Sequence, residues 1–329
     1  MSSKRLPLPG GKKFAFTVLD DTDVGTVANL RPLYDLFHTL GFRTTKTVWP
    51  VGCPEGSRDF SSSETFDDAA YCDFVADLQR RGFEITWHGA TMESSKRERT
   101  LTALERFHDV LGTYPRIHVN HSHNKENIYW GARRLDSAPL RLMVAKALGR
   151  GDDYSSGDDP SSPYWWGDRA ARHFEYSRNL TTNDINTASF NPTMPYRDPA
   201  RPLVPWWFSA SDAEGALEFN ELIHPDNQEK LEREGGFCIV ATHCGKEFVQ
   251  DGVVNRTTVD RLTALSKRPG WFPTVGELLD WLRARRESTP GDNGLLPSWE
   301  WRRMQWSWAL DLATRKVIRR INGKRSKPM

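Results

Sequence analysis

Three carboxylates directly follow the first apolar stretch of the sequence. Five of the six residues in 14–19 are apolar, which predicts a short strand buried on both faces, as in parallel sheets. Asp20, Asp21 and Asp23 come next, within four residues. Carboxylates this close repel each other, and a cation bound among them turns this repulsion into attraction. A reaction that needs one ionised acid beside another is a second reason to place them together. The alternative is a solvated acidic turn that caps the following helix.

Three of the nine histidines lie at equivalent places, just beyond the ends of other predicted strands. They are His88, His121 and His243. Because the carboxyl ends of parallel strands meet at one face of a β/α architecture, we expect these imidazoles to lie near the acidic turn. An aspartate and two neutral imidazoles, with coordination positions left open, are typical ligands of a catalytic divalent metal. The alternative is that they are ordinary polar strand ends.

The elements that must position these residues alternate between strand and helix along most of the chain. Residues 149–202 are rich in Gly, Asp, Ser, Pro and aromatic residues and are predicted to be loop. The predicted strands are 14–19, 43–48, 83–87, 115–119, 203–209 and 236–241. The predicted helices are 26–40, 67–81, 94–111, 127–148 with a break at Pro139, 227–234, 257–266 and 274–286. This alternation predicts an α/β fold with a parallel sheet.

The composition excludes several classes of protein. A formal charge of +2 on 329 residues gives no reason to expect a nucleic-acid partner, and no apolar run is long enough to span a membrane. The N-terminal segment has no apolar stretch typical of a secretory signal. The four cysteines lack CxxC spacing and suit reduced thiols, so we expect a cytoplasmic protein. They are Cys53, Cys72, Cys238 and Cys244.

The sequence resembles the polysaccharide deacetylase (NodB-homology, carbohydrate esterase family 4-like) superfamily over residues 13–285. The resemblance rests on three motifs: a strand followed by two aspartates, a strand ending in His and a late strand ending in His. The resemblance implies a distorted (β/α) barrel of the TIM-like kind. It implies a metal-dependent hydrolase, with Zn²⁺ as the metal, that removes an N-acetyl or related acyl group from a sugar or glycan in surface polysaccharide metabolism. It also implies Asp20 as general base, Asp21 and His88 as metal ligands, and His243 as general acid.

The sequence departs from the family's pattern at three points. The position four residues after the first His, usually a second His, is Met92. The Gly that usually follows the Asp pair is Thr22, and the segment HVNHSHN replaces the family's Arg-Pro segment. Because His121 ends the next strand, we predict that it is the relocated metal ligand, and Met92 leaves a non-catalytic carbohydrate-binding relative as an alternative. Other replacements for the lost ligand are His123, Asp23 and Glu93.

Aromatic residues in the predicted loops are candidates for substrate binding. Sugar rings present apolar C–H faces that stack on indoles, while Asp and Arg side chains bind hydroxyl groups. Hydrophobic packing at the rim of the barrel is the alternative. The candidates are Tyr164, Trp165, Trp166, Tyr196, Arg197, Asp198, Trp206 and Trp207.

The acidic turn also allows a different enzyme class. Asp21, Asp23 and Thr26 approach the DxDxT loop of haloacid-dehalogenase-type phosphatases, in which Asp21 would be the nucleophile, Asp23 the acid/base and Mg²⁺ the cofactor. This reading gives no role to the three histidines.

The sequence predicts a barrel domain at 1–288, a linker at 289–298 and a basic, Trp-rich helix with a tail at 299–329. Nine basic residues and two acids fall in that last segment. A positively charged amphipathic helix binds the surface of anionic membranes, and packing of its apolar stripe on the barrel is the alternative. The predicted stripe is Trp306, Leu310, Ala313, Val317 and Ile321.

Overall fold

Seven parallel strands form a closed barrel in the computed structural model, which describes residues 6–60, 62–148 and 154–325. The strands follow each other around the barrel in chain order, and pairing of β1 with β7 closes it. The predicted (β/α) barrel is therefore confirmed. The seven strands are β1 (Phe14–Asp20), β2 (Thr45–Val48), β3 (Glu84–Trp87), β4 (Ile117–His118), β5 (Tyr176–Thr182), β6 (Trp206–Asp212) and β7 (Phe237–Thr242).

Three further strands lie outside the barrel wall. The hairpin formed by β8 (Val249–Gln250) and β9 (Val253–Val254) is separate, and β10 (Gly270–Trp271) pairs with β1. The described helices are α1 (Val27–Thr39), α2 (Ala69–Arg80), α3 (Arg97–Leu111), α4 (Ala138–Leu148), α5 (Gly167–His173), α6 (Thr187–Phe190), α7 (Ala216–Leu222), α8 (Pro225–Glu234), α9 (Arg256–Ser266), α10 (Val275–Glu287) and α11 (Ser298–Arg325).

Alternate residues of β1 enter two different apolar cores. Phe16 and Val18 pack outward against the surrounding helices, whereas Ala15 and Leu19 belong to the core inside the barrel. Every residue of the strand is buried, as expected for a parallel strand covered on both faces. This alternation decides which strand-end side chains face the mouth of the barrel.

The start of α10 closes the amino end of the barrel. The backbone N–H of Val275 donates to Thr45 Oγ1 at 2.8 Å, and that of Gly276 donates to Glu84 Oε2 at 2.9 Å. A carboxylate is stabilised at this position because the N-terminus of a helix carries partial positive charge. Since one end of the barrel is closed, the carboxyl ends of the strands are left to form a site.

Strand β5 falls in the region predicted to be loop, so that prediction is wrong. Its sequence, YSRNLTT, lacks an apolar run, yet only one of its seven residues is not fully buried. Most of its polar side chains have partners inside the protein: Ser177 Oγ lies 3.0 Å from His118 Nδ1, and Asn179 donates to the hydroxyl of Tyr196. Because the strand is buried through polar contacts, hydrophobic periodicity does not reveal it.

The predicted apolar stripe of the C-terminal helix does not face the barrel. Trp306 and Leu310 are 54% and 63% exposed. The side that packs on the protein instead carries Trp301, Met304 and Trp308, all buried. Ala313, Val317 and Ile321 have side chains outside the part that the structure describes. Among the described helices, none is long and apolar enough to cross a membrane.

His118, at the end of β4, is a buried structural histidine. Its ring packs against those of Trp166 and Phe174, and it is 2% exposed. Burial, together with the nearby charges of His88 and Arg178, lowers the pKa of His118 to about 3. The folded protein therefore keeps this imidazole neutral at pH values where an unfolded chain, with a His pKa near 6.5, binds a proton.

We expect His118→Gln to weaken the acid sensitivity of the fold. In the wild type, the stability that depends on neutral His118 is complete above about pH 6.5 and is lost as pH falls toward 3. Between pH 7 and 5 the free energy of unfolding falls by about 2 kcal/mol for this reason. The variant should lack this part of the fall. Urea denaturation at both pH values measures the difference, with His108→Gln as a control for loss of a partly exposed histidine. An equal fall in wild type and His118→Gln would contradict this account.

Candidate active site

The carboxylate of Asp23 lies among three imidazoles at the mouth of the barrel. Its Oδ1 is 3.4 Å from His88 Nε2, and its Oδ2 is 3.5 Å from both His121 Nε2 and His243 Nε2. The structure thus brings together all three strand-end histidines that the sequence indicated. The carboxylate at their centre is Asp23, which the sequence analysis gave only as an alternative ligand.

The strands explain why the imidazoles converge. Ile117 and Val119 face inward at β4, and Ile239 and Ala241 face inward on β7. The same period of two continues beyond the strand ends to His121 and His243. His88 directly follows Trp87, which packs in the outer core, so His88 takes the inward direction.

A tight turn holds Asp23 against the end of β7. Val24 has φ +54°, a conformation that β-branched residues rarely adopt and that costs about 1–3 kcal/mol. A Cβ at Gly245 would lie 2.7 Å from the carbonyl oxygen of Val24, so only glycine allows this close approach. The turn and the residues after His243 are therefore built to fit each other.

The charges in this cluster are strongly coupled. Burial raises the pKa of Asp23, but its interactions with the three imidazoles lower that pKa well below the usual value. Burial lowers the pKa of His243, but Asp23 and the charge of Asp21 raise it to about 9. Burial dominates at His88 and lowers its pKa. Interactions with Asp23 and Asn124 outweigh burial at His121 and raise its pKa. These shifts favour an ionised Asp23, a charged His243 and a neutral His88, and they place His121 nearer to the charged form than a free imidazole.

Asp21 is paired with an arginine that the sequence analysis missed. Arg178 Nη1 and Nη2 donate to the two oxygens of Asp21 at 2.9 and 2.7 Å. Burial raises the pKa of Asp21, but Arg178 and the charges of His88 and His243 together lower that pKa below its usual value. Arg178 lies on β5, and it was missed because the strand was missed.

Asp20 points away from the imidazoles, so the structure contradicts its predicted role as general base. Its Oδ2 accepts hydrogen bonds from Lys46 Nζ at 3.0 Å and from the Tyr34 hydroxyl at 2.8 Å. Its Oδ1 accepts one from the backbone N–H of Cys244 at 2.9 Å. Asp20 and Lys46 have no exposed side-chain surface, so a substrate cannot reach this carboxylate.

The other predicted ligands have different partners. Glu93 forms an ion pair with Arg99 at 2.7 Å. The ring of His123 packs edge-on against that of His121, with centroids 5.5 Å apart. Met92, where the family has a histidine, is buried, and its sulfur accepts a hydrogen bond from Ser62.

Most of the predicted substrate residues are packed elsewhere. Trp166 and Trp207 are each 1% exposed, and the indole of Trp166 donates to the Glu126 carbonyl. Tyr196 is equally buried and packs on Trp301 of α11. These three residues take the packing role that was the alternative. Arg197 and Asp198 line a separate cavity of about 380 Å³, while the Trp165 carbonyl accepts a hydrogen bond from Arg97.

The cluster matches a divalent metal in donor chemistry. Three imidazoles and one carboxylate are typical ligands of Zn²⁺, and Asp23 Oδ1 and His88 Nδ1 are buried without a hydrogen-bond partner. In their present arrangement, however, the described residues contain no group of three or more His, Cys, Asp or Glu side chains that could hold an ion. The carboxylate of Asp23 itself lies beside the Nε2 atoms of all three histidines.

Comparison with known proteins supports the fold. No protein-family model and no curated protein matches the chain. The structure of Puue allantoinase is similar, with a TM-score of 0.51, 13% identity and coverage of 87% of this chain and 95% of that one. A probable polysaccharide deacetylase from Pseudomonas aeruginosa PAO1 has a TM-score of 0.49 at 14% identity, with the same coverage of both chains. At such low identity the likeness to the allantoinase shows a shared fold.

We expect Lys46→Met to destabilise the protein by about 3–5 kcal/mol, because it leaves the buried charge of Asp20 without a partner. The double variant Asp20→Asn/Lys46→Met should regain most of that loss. Urea denaturation measures both. The control is Lys13→Met, which breaks an exposed ion pair with Glu232 and should cost no more than about 1 kcal/mol. A loss in Lys46→Met as small as in the control would show that the buried pair has no such role.

Proposed function

We propose that the protein is a metal-dependent hydrolase that removes an N-acetyl or related acyl group from a sugar or glycan in surface polysaccharide metabolism. The observation that carries the proposal is the group of three imidazoles around one carboxylate at the open end of the barrel. Its support for hydrolysis is chemical: the group combines ligands for a divalent ion with a charged imidazole that can donate a proton. The sugar substrate rests on the sequence resemblance to polysaccharide deacetylases.

We assign the metal ligands as Asp23, His88 and His121, with Zn²⁺ as the ion. This assignment replaces Asp21 with Asp23, because Asp23 is the carboxylate that lies beside the Nε2 atoms of the histidines. Such an ion, when bound, polarises an acyl carbonyl and lowers the pKa of water. The tautomer of His121 suits the role: its Nδ1 lies 3.0 Å from Asn124 Oδ1, which leaves Nε2 directed at the centre of the cluster.

We assign the general base as Asp21. The bidentate contact with Arg178 keeps this carboxylate ionised and fixed in orientation. Each carboxylate oxygen has a second lone pair, so Asp21 can still accept a proton from an attacking water. Asp20 is excluded from this role by its burial against Lys46.

His243 is assigned as general acid. Its Nδ1 donates to the backbone carbonyl of Glu214 at 2.7 Å, so the proton on Nε2 is the one directed into the cluster. With a pKa of about 9, the ring carries that proton at neutral pH. It can therefore protonate the leaving amine, which would otherwise be too basic to depart.

The phosphatase alternative lacks its acid in this arrangement. Asp23 would need to donate a proton to the leaving group. Burial raises the pKa of this carboxyl, but its interactions with the three imidazoles hold that pKa well below its usual value. The non-catalytic alternative keeps one observation in its favour, the buried Met92 in place of a histidine. Measurements of metal content and of acetate release distinguish it from the hydrolase.

The decisive experiment measures bound metal and acetate released from N-acetylated sugars, sugar nucleotides and lipid-linked sugars. The wild type should contain one divalent ion per chain and release acetate from one of these classes. Asp23→Asn should lose both metal and activity, because it removes the one charged ligand. An active protein without metal would overturn the metal assignment, and a metal-containing protein without activity on any of the three classes would favour the binding alternative.

Asp21→Asn and His243→Asn should keep the metal and lose activity by about 10²–10⁴-fold each, the usual contribution of a general base or acid. Asp109→Asn changes a carboxylate that is 70% exposed and serves as the control for both measurements. If Asp21→Asn loses metal as fully as Asp23→Asn does, the two carboxylates have been assigned in the wrong order.

A further inference from the structure

Helix α11 has a second apolar face that the barrel does not cover. One face is fixed to the protein, where the guanidinium of Arg134 lies between the rings of Trp130 and Trp308, 4.0 and 4.3 Å from their centroids. The opposite face exposes Trp306 and Leu310. Trp306 and Leu310 point to the side of the helix opposite to Trp308. They are one helical turn apart, and Trp308 lies about half a turn from each.

The apolar spacing of this face continues along the rest of the helix in the sequence. Trp299 precedes Trp306 by seven residues and is 66% exposed. The same spacing of three and four residues continues after Leu310 to Ala313, Val317 and Ile321, whose side chains lie outside the described part. A helix that only packs on the barrel is expected to have a polar outer face. The second apolar stripe departs from that expectation.

Exposed apolar side chains concentrate on α11 and its neighbour α4. Of the ten large hydrophobic residues that are exposed in the described part of the chain, five lie on these two helices. Between the helices is a cavity of about 480 Å³, lined by Leu140, Trp301, Arg302 and Trp306 among others. Such a concentration marks an interaction surface rather than the usual scatter of single residues. The five are Leu142, Met143, Trp299, Trp306 and Leu310.

The charge of this segment identifies the kind of partner. Residues 299–329 contain nine of the chain's 45 Lys and Arg residues but only two of its 43 Asp and Glu residues. The segment is therefore +7 and the rest of the chain −5, although the total is only +2. Basic residues around exposed indoles and leucines match a surface that combines negative charge with an apolar interior.

We propose that α11, together with α4, docks the protein on the surface of an anionic lipid bilayer. The helix lies in the plane of the interface, with Trp299 and Trp306 at the level of the headgroups and basic side chains against the lipid phosphates. The packed face, through Trp308 and Arg134, holds the barrel to the helix. The two interpretations of the C-terminal segment from the sequence, packing and membrane contact, therefore apply to opposite faces of one helix.

Flotation of the full chain with vesicles tests the proposal. Vesicles of phosphatidylcholine with about 30% phosphatidylglycerol supply the negative surface, and phosphatidylcholine alone is the neutral comparison. The wild type should float with the anionic vesicles at low salt and much less at high salt. The variant Trp306→Ser/Leu310→Ser should bind at least about tenfold more weakly. Its matched control, Leu217→Ser/Val253→Ser, removes two exposed apolar residues from other parts of the surface and should float like the wild type.

Three results would overturn the proposal. Equal binding of the wild type and the Trp306→Ser/Leu310→Ser variant would show that this helix face does not contact the bilayer. Equal binding to neutral and anionic vesicles would show that the basic residues do not contribute to binding. Failure to float, with a wild-type dimer that the same variant dissociates in sedimentation, would show that a second copy of this chain covers the face. Circular dichroism of each variant establishes that the fold is retained, and a second variant, Leu142→Ser, tests the face from α4 if the first pair unfolds.

Discussion

The structure of the barrel mouth depends on compensating two buried carboxylates and a third, partly buried one within four residues. A buried carboxylate that loses its partner destabilises a protein by several kcal/mol, so each of the three requires its own cation or donors. Because successive side chains of a strand point to opposite faces, Asp20 and Asp21 cannot share one. Lys46 on β2 compensates the outward carboxylate, and Arg178 on β5 compensates the inward one. The closure of the barrel brings both cations to the end of β1.

Compensation of the first two carboxylates determines the chemistry of the third. With Asp20 and Asp21 engaged, Asp23 has only imidazoles beside it, and its charge helps to keep His243 protonated. His88, more deeply buried, stays neutral in the same field. Around one carboxylate, burial thus favours a neutral ring that can bind a cation, while the negative charge favours a charged ring that can donate a proton. Environments that push neighbouring groups to opposite protonation states are typical of acid–base sites.

The sequence predicted six of the seven barrel strands and missed β5, whose residues are mostly polar. Strand β5 is buried through hydrogen bonds and an ion pair that join residues far apart in the chain, and no local pattern records such pairs. The histidines were found because each follows a strand that the sequence predicted. The roles proposed for the aspartates differ from those predicted because they depend on the direction and the partners of each side chain. Lys46 and Arg178, which distinguish Asp20 from Asp21, come from other strands, and the residues around the aspartates do not reveal them.

The C-terminal helix shows a different limit of periodicity. Its tryptophans occur on both sides, with Trp301 and Trp308 buried and Trp299 and Trp306 exposed. A search for one apolar stripe finds two candidates here, and the spacing of residues cannot decide which one packs. That decision comes from the partner surface, where Arg134 and the side chains around β5 fit the indole of Trp308. The apolar stripe that stays exposed after this choice is costly in water, and this cost is the physical basis of the proposed docking on a bilayer.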